Sequence, residues 1–200
     1  GPMKITAAKG TRDILPGEVE VWQRVEQSAH RLFTLYGVRE IRTPIFESTE
    51  LFAKSTGSDT DIVTKEMYTF TDRSDRSITL RPEGTPGVVR AAIENSLLRR
   101  GEIDRFYYIG PMFRYERPQK GRYRQFSQIG VEVFGSGHPA IDAEVMEMAI
   151  SLFTSLGIAD ARLQLNSVGH PECRSIYRQA LKNALEPQRA DLCADCQRRL

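Results

Sequence analysis

Two extended runs, RFYYIGPMFRY at 105–115 and RQFSQIGVEVFG at 124–135, lie either side of a short basic loop. Both are rich in aromatic and β-branched residues, and the loop holds a proline and a glycine, so the spacing predicts two long strands joined by that loop. The rest of the chain has to be built around that pair. Along a strand, side chains two apart share a face. In the second run Ser127, Ile129, Val131 and Val133 form one face, mostly aliphatic and expected to meet the core. Phe126, Gln128, Gly130, Glu132 and Phe134 form the other. An amide and a carboxylate flanked by aromatics, with a glycine between them, read as the floor of a cleft, the glycine leaving room above the sheet for a ligand.

The flanking sequence completes an α+β layout. Trp22, Val25, Ala29, Leu32, Phe33 and Tyr36 recur at spacings of three and four, which predicts an amphipathic helix over 17–36 ended by Gly37. VREIRTPIF reads as an extended segment, bent or edged at Pro44. MYTF (67–70) and SITLRPE (77–83) are predicted strands around the polar turn TDRSDR. Thr85 before Pro86 reads as an N-cap hydroxyl and a first-turn proline, opening a helix through Leu97. A further helix opens at Pro139 and runs to Leu156, RLQLNSV (162–168) is a predicted strand, and 171–186 is predicted helical. Strands and hairpins interrupted by helices give an α+β domain with a largely antiparallel sheet. The closing CADCQRRL carries no sign of a finished domain, so truncation is expected.

The chain has 200 residues, enough for one domain with a core and part of a second. No apolar run approaches a membrane span and no signal pattern opens the sequence; Gly1-Pro2 ahead of Met3 reads as a protease-cleavage scar. Three cysteines, an odd number, argue against a disulfide framework and fit a reducing cytoplasm. The formal net charge is only +2, so a basic site has to be local. RYERPQKGRYRQFSQ (114–128) supplies one, with four arginines and a lysine around a single glutamate.

Arg114 and Glu116 are expected on one face of their strand, and Arg81, Glu83 and Thr85 on one face of theirs. If the strands are neighbours, Glu83, Thr85, Arg114, Gln128 and Glu132 converge on one pocket. Two carboxylates and an amide suit an ammonium and a ring N–H, and arginines suit phosphate or carboxylate oxygens. Each feature alone has a plainer reading. A basic loop is often a solvated turn, a polar strand face the wet side of a sheet, and Glu83 a partner for Arg81 or Arg90. The combination favours a site.

These segments carry a resemblance. KGTRDILP (9–16), GVREIRTPIFE (37–47), LRPEGT (80–85) and FRYERPQKGRYRQFSQIGVEVFG (113–135) are similar to the N-terminal signature, class II motif 1, histidine-binding segment and motif 2 of the histidyl-tRNA synthetase family. The resemblance implies a class II aminoacyl-tRNA synthetase fold, an antiparallel sheet flanked by helices, and a homodimer formed partly through motif 1. It implies a cytoplasmic ligase that uses ATP with Mg2+ to make histidyl-adenylate and passes the histidyl group to tRNA(His). Arg114 would hold the α-phosphate region, Glu116 would lie at adenine, Arg122 would reach the outer phosphates, and Phe126 would stack on adenine. Glu83, Thr85 and Gln128 would hold the substrate amino group, with Glu132 facing the imidazole; Gly84 and Arg114 would also belong to the histidine-binding set, and Arg114 would be the catalytic residue.

Residues 3–168 would form the N-terminal part of the catalytic domain, left incomplete, and 169–200 the start of an insertion domain. Motif 3, the second histidine signature and the anticodon-binding domain have no counterpart in the 200 residues. Tyr115 and Ser127 stand where many members carry histidine, and strand alternation points both away from the pocket. One rival is the synthetase-like regulatory subunit of ATP phosphoribosyltransferase, disfavoured because LRPEGT and ERPQKGRYRQF look intact. A plain RNA-binding module fails because Glu83 and Glu132 would repel a phosphate backbone. His170, Cys173, Cys193 and Cys196 have an arrangement able to hold zinc, although the resemblance implies none.

Overall fold

The computed structural model describes residues 4–56, 66–117, 119–167 and 169–200. The chain divides into two compact units, Gly1–Ala161 and Arg162–Leu200. In the first, α1 (Val19–Leu35) leads to β1 (Arg39–Glu40), β2 (Phe46–Ser48) and α2 (Thr49–Thr56). Then come β3 (Tyr68–Thr71), β4 (Ser77–Leu80), α3 (Thr85–Glu94), β5 (Asp104–Phe113), β6 (Gln125–Phe134) and α4 (Pro139–Ser155).

β5 and β6 are the two long runs, paired antiparallel from Asp104 opposite Phe134 to Phe113 opposite Gln125. β1 lies parallel on the other side of β5. β4 sits between β2 and β3 in a separate antiparallel sheet. Directly opposed residues share a face. The register therefore puts Tyr108 with Gly130, Gly110 with Gln128, and Phe106 with Glu132 on one side of the hairpin. Tyr107 with Val131 and Ile109 with Ile129 occupy the other.

Both sides are covered. On the Tyr107 side, Ala29 and Phe33 of α1 meet Met148 and Leu152 of α4, with Ile129 and Val131 against them. Burying a side chain such as Phe33 contributes about 1.5–3 kcal/mol, and this cluster fixes α1 and α4 to the sheet. On the Tyr108 side, Phe106, Tyr108 and Met112 pack against Val88 of α3, with Phe134 and Leu97 alongside. That side is thus part core and part cleft. The start of β5 is pinned by Asp104, only 2% exposed, which accepts from the Arg99 backbone N–H and from the Arg99 and Arg39 guanidinium groups.

Several expectations change. β4 stops at Leu80, so Arg81, Glu83 and Thr85 are not alternate residues of one strand. The N-cap of α3 is Gly84 and the Thr85 hydroxyl caps nothing; it turns toward β6. β5 ends at Phe113, and the backbone tightens at once, Glu116 N–H donating to Arg114 O at 2.8 Å, so Arg114 and Glu116 are not related by strand alternation. Residues 162–167 form no strand and position 168 lies outside the described residues; Leu163 and Leu165 alternate as a strand would, but no described strand pairs with them. The second unit holds α5 (Pro171–Leu185), a 3-10 turn (Glu186–Asp191) and α6 (Ala194–Arg199). No helix of the described residues is long and apolar enough to cross a membrane.

Candidate functional site

The segment after β4 leaves its sheet and crosses to the Tyr108 face of the hairpin. Arg81 directs the crossing. Its backbone carbonyl accepts from Phe113 N at 2.9 Å, and its guanidinium donates to the carbonyls of Pro111 (2.9 Å) and Thr43 (3.1 Å). Arg81 is 8% exposed, and burial holds its pKa below the usual arginine value. It is a structural cation tying three segments together, neither a ligand-facing group nor a partner of Glu83. Arg90 is likewise engaged elsewhere, with Glu47 and Glu94.

The crossing brings Glu83, Gly84 and Thr85 over β6. Gly84 N–H donates to Gln128 Oε1 at 3.1 Å, and Thr85 Oγ1 donates to Glu132 Oε1 at 2.5 Å. Arg114 Nε donates to Pro82 O at 2.9 Å, and its guanidinium lies 5.2 Å from the centroid of the Phe126 ring. Glu83, Gly84, Thr85, Arg114, Phe126, Gln128 and Glu132 thus line one surface. The Glu83 carboxylate has no hydrogen-bond partner among the described residues, and its charge acts on the Tyr108 hydroxyl.

Tyr108 was not singled out from the sequence. It lies against this surface, 7% exposed, its hydroxyl 3.4 Å from Glu132 Oε1, the oxygen that also accepts from Thr85. Burial, followed by the nearby Glu132 charge, pushes its pKa up to about 12. The ring packs against two glycines: a Cβ on Gly84 or on Gly130 would fall within 3.0 Å of it. The space above Gly130, expected to admit a ligand, is filled by this ring. A glycine facing an aromatic across the hairpin was the available signal.

The basic loop divides into held and free cations. Arg124 stacks 3.9 Å from the Tyr115 ring centroid and its backbone N–H donates to Gly10 O at 2.7 Å, which lays the N-terminal segment along the loop. Gly10, with φ of +84°, has Arg124 where a Cβ would stand. At the tip, Arg122 N–H donates to Gln119 O, with Gly121 at φ of +81° allowing the turn. Arg122 is exposed and forms no ion pair among the described residues; Glu116 is half-buried. Ser127 belongs to the opposite face, in register with Pro111, and Tyr115 is 52% exposed with its edge on Tyr68.

A cavity of about 660 Å3 opens on that opposite face, lined by Arg12, Trp22, Glu26, His30, Glu40 and Arg42 among others. It shares only Phe126 with the surface described above. There His30 Nδ1 and the Tyr107 hydroxyl are 2.7 Å apart, and His138 caps α4 through Nδ1, so both histidines serve local structure. His170 Nε2 lies 3.3 Å from Cys173 Sγ, and Cys193 and Cys196 contact each other, but no group of three or more metal-capable side chains converges among the described residues.

Comparison with known proteins gives this arrangement a family. A profile of histidyl-tRNA synthetase matches residues 10–197. The histidine–tRNA ligases of Desulforamulus reducens and Geobacter metallireducens are 58% and 56% identical to the chain over 98% of it, which is 47% of each relative. The chain spans about half the length of the curated relatives it matches. Apo histidyl-tRNA synthetase of S. aureus superposes with a TM-score of 0.73 at 44% identity, covering 98% of this chain and 46% of that one. A Bacillus halodurans protein described as an ATP phosphoribosyltransferase regulatory subunit/histidyl-tRNA synthetase shares the fold, with a TM-score of 0.67 at 22% identity over 80% of this chain. With a family match that runs through every segment lining the Tyr108 face, the chain belongs to the histidyl-tRNA synthetase family.

Proposed function

We propose that this chain forms the amino-acid- and nucleotide-binding half of a histidine–tRNA ligase. Residues 3–168 would be the N-terminal part of its class II catalytic domain and 169–200 the start of an insertion domain. The observation that carries the reading is the convergence of Glu83, Gln128 and Glu132 with Arg114 on one sheet face. Two carboxylates and an amide match the ammonium and ring N–H of histidine. Arg114 and the exposed Arg122 match the phosphates of ATP. In the reaction the histidine carboxylate attacks the α-phosphorus and pyrophosphate leaves. Both reactants are anionic, so fixed guanidinium charge at Arg114 offsets their repulsion and the charge of the transition state. The carboxylate is already a nucleophile, so no general base is needed. Mg2+ bound with ATP would shield its outer phosphates. Glu83, Thr85 and Gln128 would hold the amino group, with Gly84 N–H fixing the Gln128 amide, and Phe126 offers its ring to adenine while Glu116 lies nearby.

The intact enzyme would then transfer the histidyl group to tRNA(His), act as a homodimer through the segment around Pro44, and work in the cytoplasm. The regulatory-subunit alternative is less well supported, since the ligases are the high-identity relatives. Titration calorimetry tests the reading. L-histidine is expected to bind the ligase carrying this segment, and Glu132→Ala to weaken binding at least tenfold, the effect of about 1.4 kcal/mol. Equal affinity in the two proteins would overturn it. The 200-residue chain alone is expected to catalyse at most feeble histidine-dependent ATP–pyrophosphate exchange; turnover near that of an intact synthetase would refute this.

A further inference from the structure

Glu132 has two oxygens with different surroundings. Oε1 takes the Thr85 hydroxyl at 2.5 Å and faces the Tyr108 hydroxyl at 3.4 Å, while Oε2 has no hydrogen-bond partner among the described residues. Both neighbours of Oε1 are hydroxyls, each with one proton to donate, so the phenol and Thr85 converge on the same carboxylate oxygen. The ring that carries this phenol cannot swing away. Gly84 and Gly130 both lie close against its Cε2–Cζ–Oη end, and it shares a buried cluster with Phe106, Met112 and Val88.

We propose that Tyr108 is a specificity-determining positioning residue: with Thr85 it anchors Glu132 Oε1, which leaves Oε2 aimed at the ligand as an acceptor for a ring N–H. The proposal rests on the reading of Glu132 as the group that faces the imidazole. A carboxylate fixed through one oxygen has only its second oxygen to offer, and that oxygen lacks a donor of its own. A side chain of similar size without a ring N–H leaves it unpaired. Sites of this kind discriminate far more strongly than apolar pockets. The hydroxyl stays protonated throughout the working pH range, because burial keeps its pKa near about 12. Tyr108 therefore serves as a constant donor and not as a proton carrier.

The test uses the full-length ligase carrying this segment, assayed by ATP–pyrophosphate exchange with L-histidine and with 3-(2-thienyl)alanine, whose five-membered ring has no N–H. Tyr108→Phe keeps the ring against the two glycines and removes only the hydroxyl. It is expected to raise KM for histidine about tenfold, with a smaller change in kcat and in KM for ATP. The histidine-over-thienylalanine ratio of kcat/KM is expected to narrow by a similar factor. A role confined to packing leaves both quantities unchanged, and that result overturns the proposal, as does a loss shared equally among kcat and both KM values. Glu132→Gln separates the two readings. If it does not alter KM for histidine, the assignment of Glu132 fails and this proposal with it. If it does while Tyr108→Phe has no effect, the proposal alone fails. Should Tyr108→Phe not fold, Thr85→Val and Thr85→Ser replace it. The valine is expected to narrow discrimination and the serine to restore it, and equal discrimination in the two overturns the proposal.

Discussion

Replacing Gly130 by alanine separates two uses of the same glycine by the sign of the effect. Gly130 has no left-handed backbone angle to protect, so an alanine there meets no conformational penalty of its own. If the space above it were open, Gly130→Ala would stabilise the chain by about 0.4–1 kcal/mol, by narrowing the unfolded ensemble. The structure instead puts a Cβ at this position closer than 3.0 Å to Tyr108 Cζ and Oη, a separation that real Cβ atoms essentially never show. The ring has no open space to retreat into, because it is 7% exposed, packed with Phe106, Met112 and Val88, and already close against Gly84. Strain of this kind costs about 1–3 kcal/mol. In a chain of this length that lowers Tm by about 2–12 °C. Thermal melts of the wild type, Gly130→Ala, Tyr108→Leu and the double variant measure it. The alanine is expected to be destabilising beside tyrosine and close to neutral beside leucine, with a coupling above about 0.5 kcal/mol. A Gly130→Ala chain that melts at or above the wild-type temperature refutes the packing of Tyr108 on Gly130.

Three other substitutions probe separate parts of the molecule. The Asp104 carboxyl is held below the usual range, first by the Arg99 backbone N–H and then by the Arg99 guanidinium, so its contribution is full above the unfolded pKa of about 3.9 and lost as pH falls through the lower folded value. Melts of Asp104→Asn are expected to lie furthest below wild type near neutral pH and to converge with it below about pH 4; a constant gap contradicts the linkage. Arg81→Met leaves the carbonyls of Pro111 and Thr43 without their donor, and urea unfolding is expected to show a loss of about 1–3 kcal/mol or more. Arg122→Ala, at an exposed turn, is expected to change stability by less than about 0.5 kcal/mol while raising KM for ATP of the proposed ligase; unchanged KM removes Arg122 from the proposed phosphate site.

Alternation within β6 made Gln128 and Glu132 legible, because a strand with one aliphatic face fixes what the other face must be. The apolar spacing of α1 and α4 was legible for the same reason, each burying one side against the hairpin. Parity within a strand says nothing about neighbours from another sheet. The route from Leu80 to Thr85 was therefore misread as continued strand, and the Thr85 hydroxyl as a helix cap when its partner is Glu132. Tyr108 was hidden in a run of aromatic residues that reads as core, and it is core, with only its hydroxyl reaching the cleft. RLQLNSV had a strand pattern, but a strand also needs a partner, and none is present among the described residues.

The bond from Arg124 N–H to Gly10 O joins residues made far apart in time. A ribosome adding about 5–20 residues per second completes position 124 roughly 6–23 s after position 10. Until then the segment that flanks the loop has only local bonds such as Arg12 to Glu18, and β1 waits for β5 in the same way. Closing so long a loop is entropically unfavourable before the hairpin contacts form. The cleft is therefore a late product of translation, and the emerging chain presents its unpaired strand edges to chaperones before it can present a binding surface to any substrate.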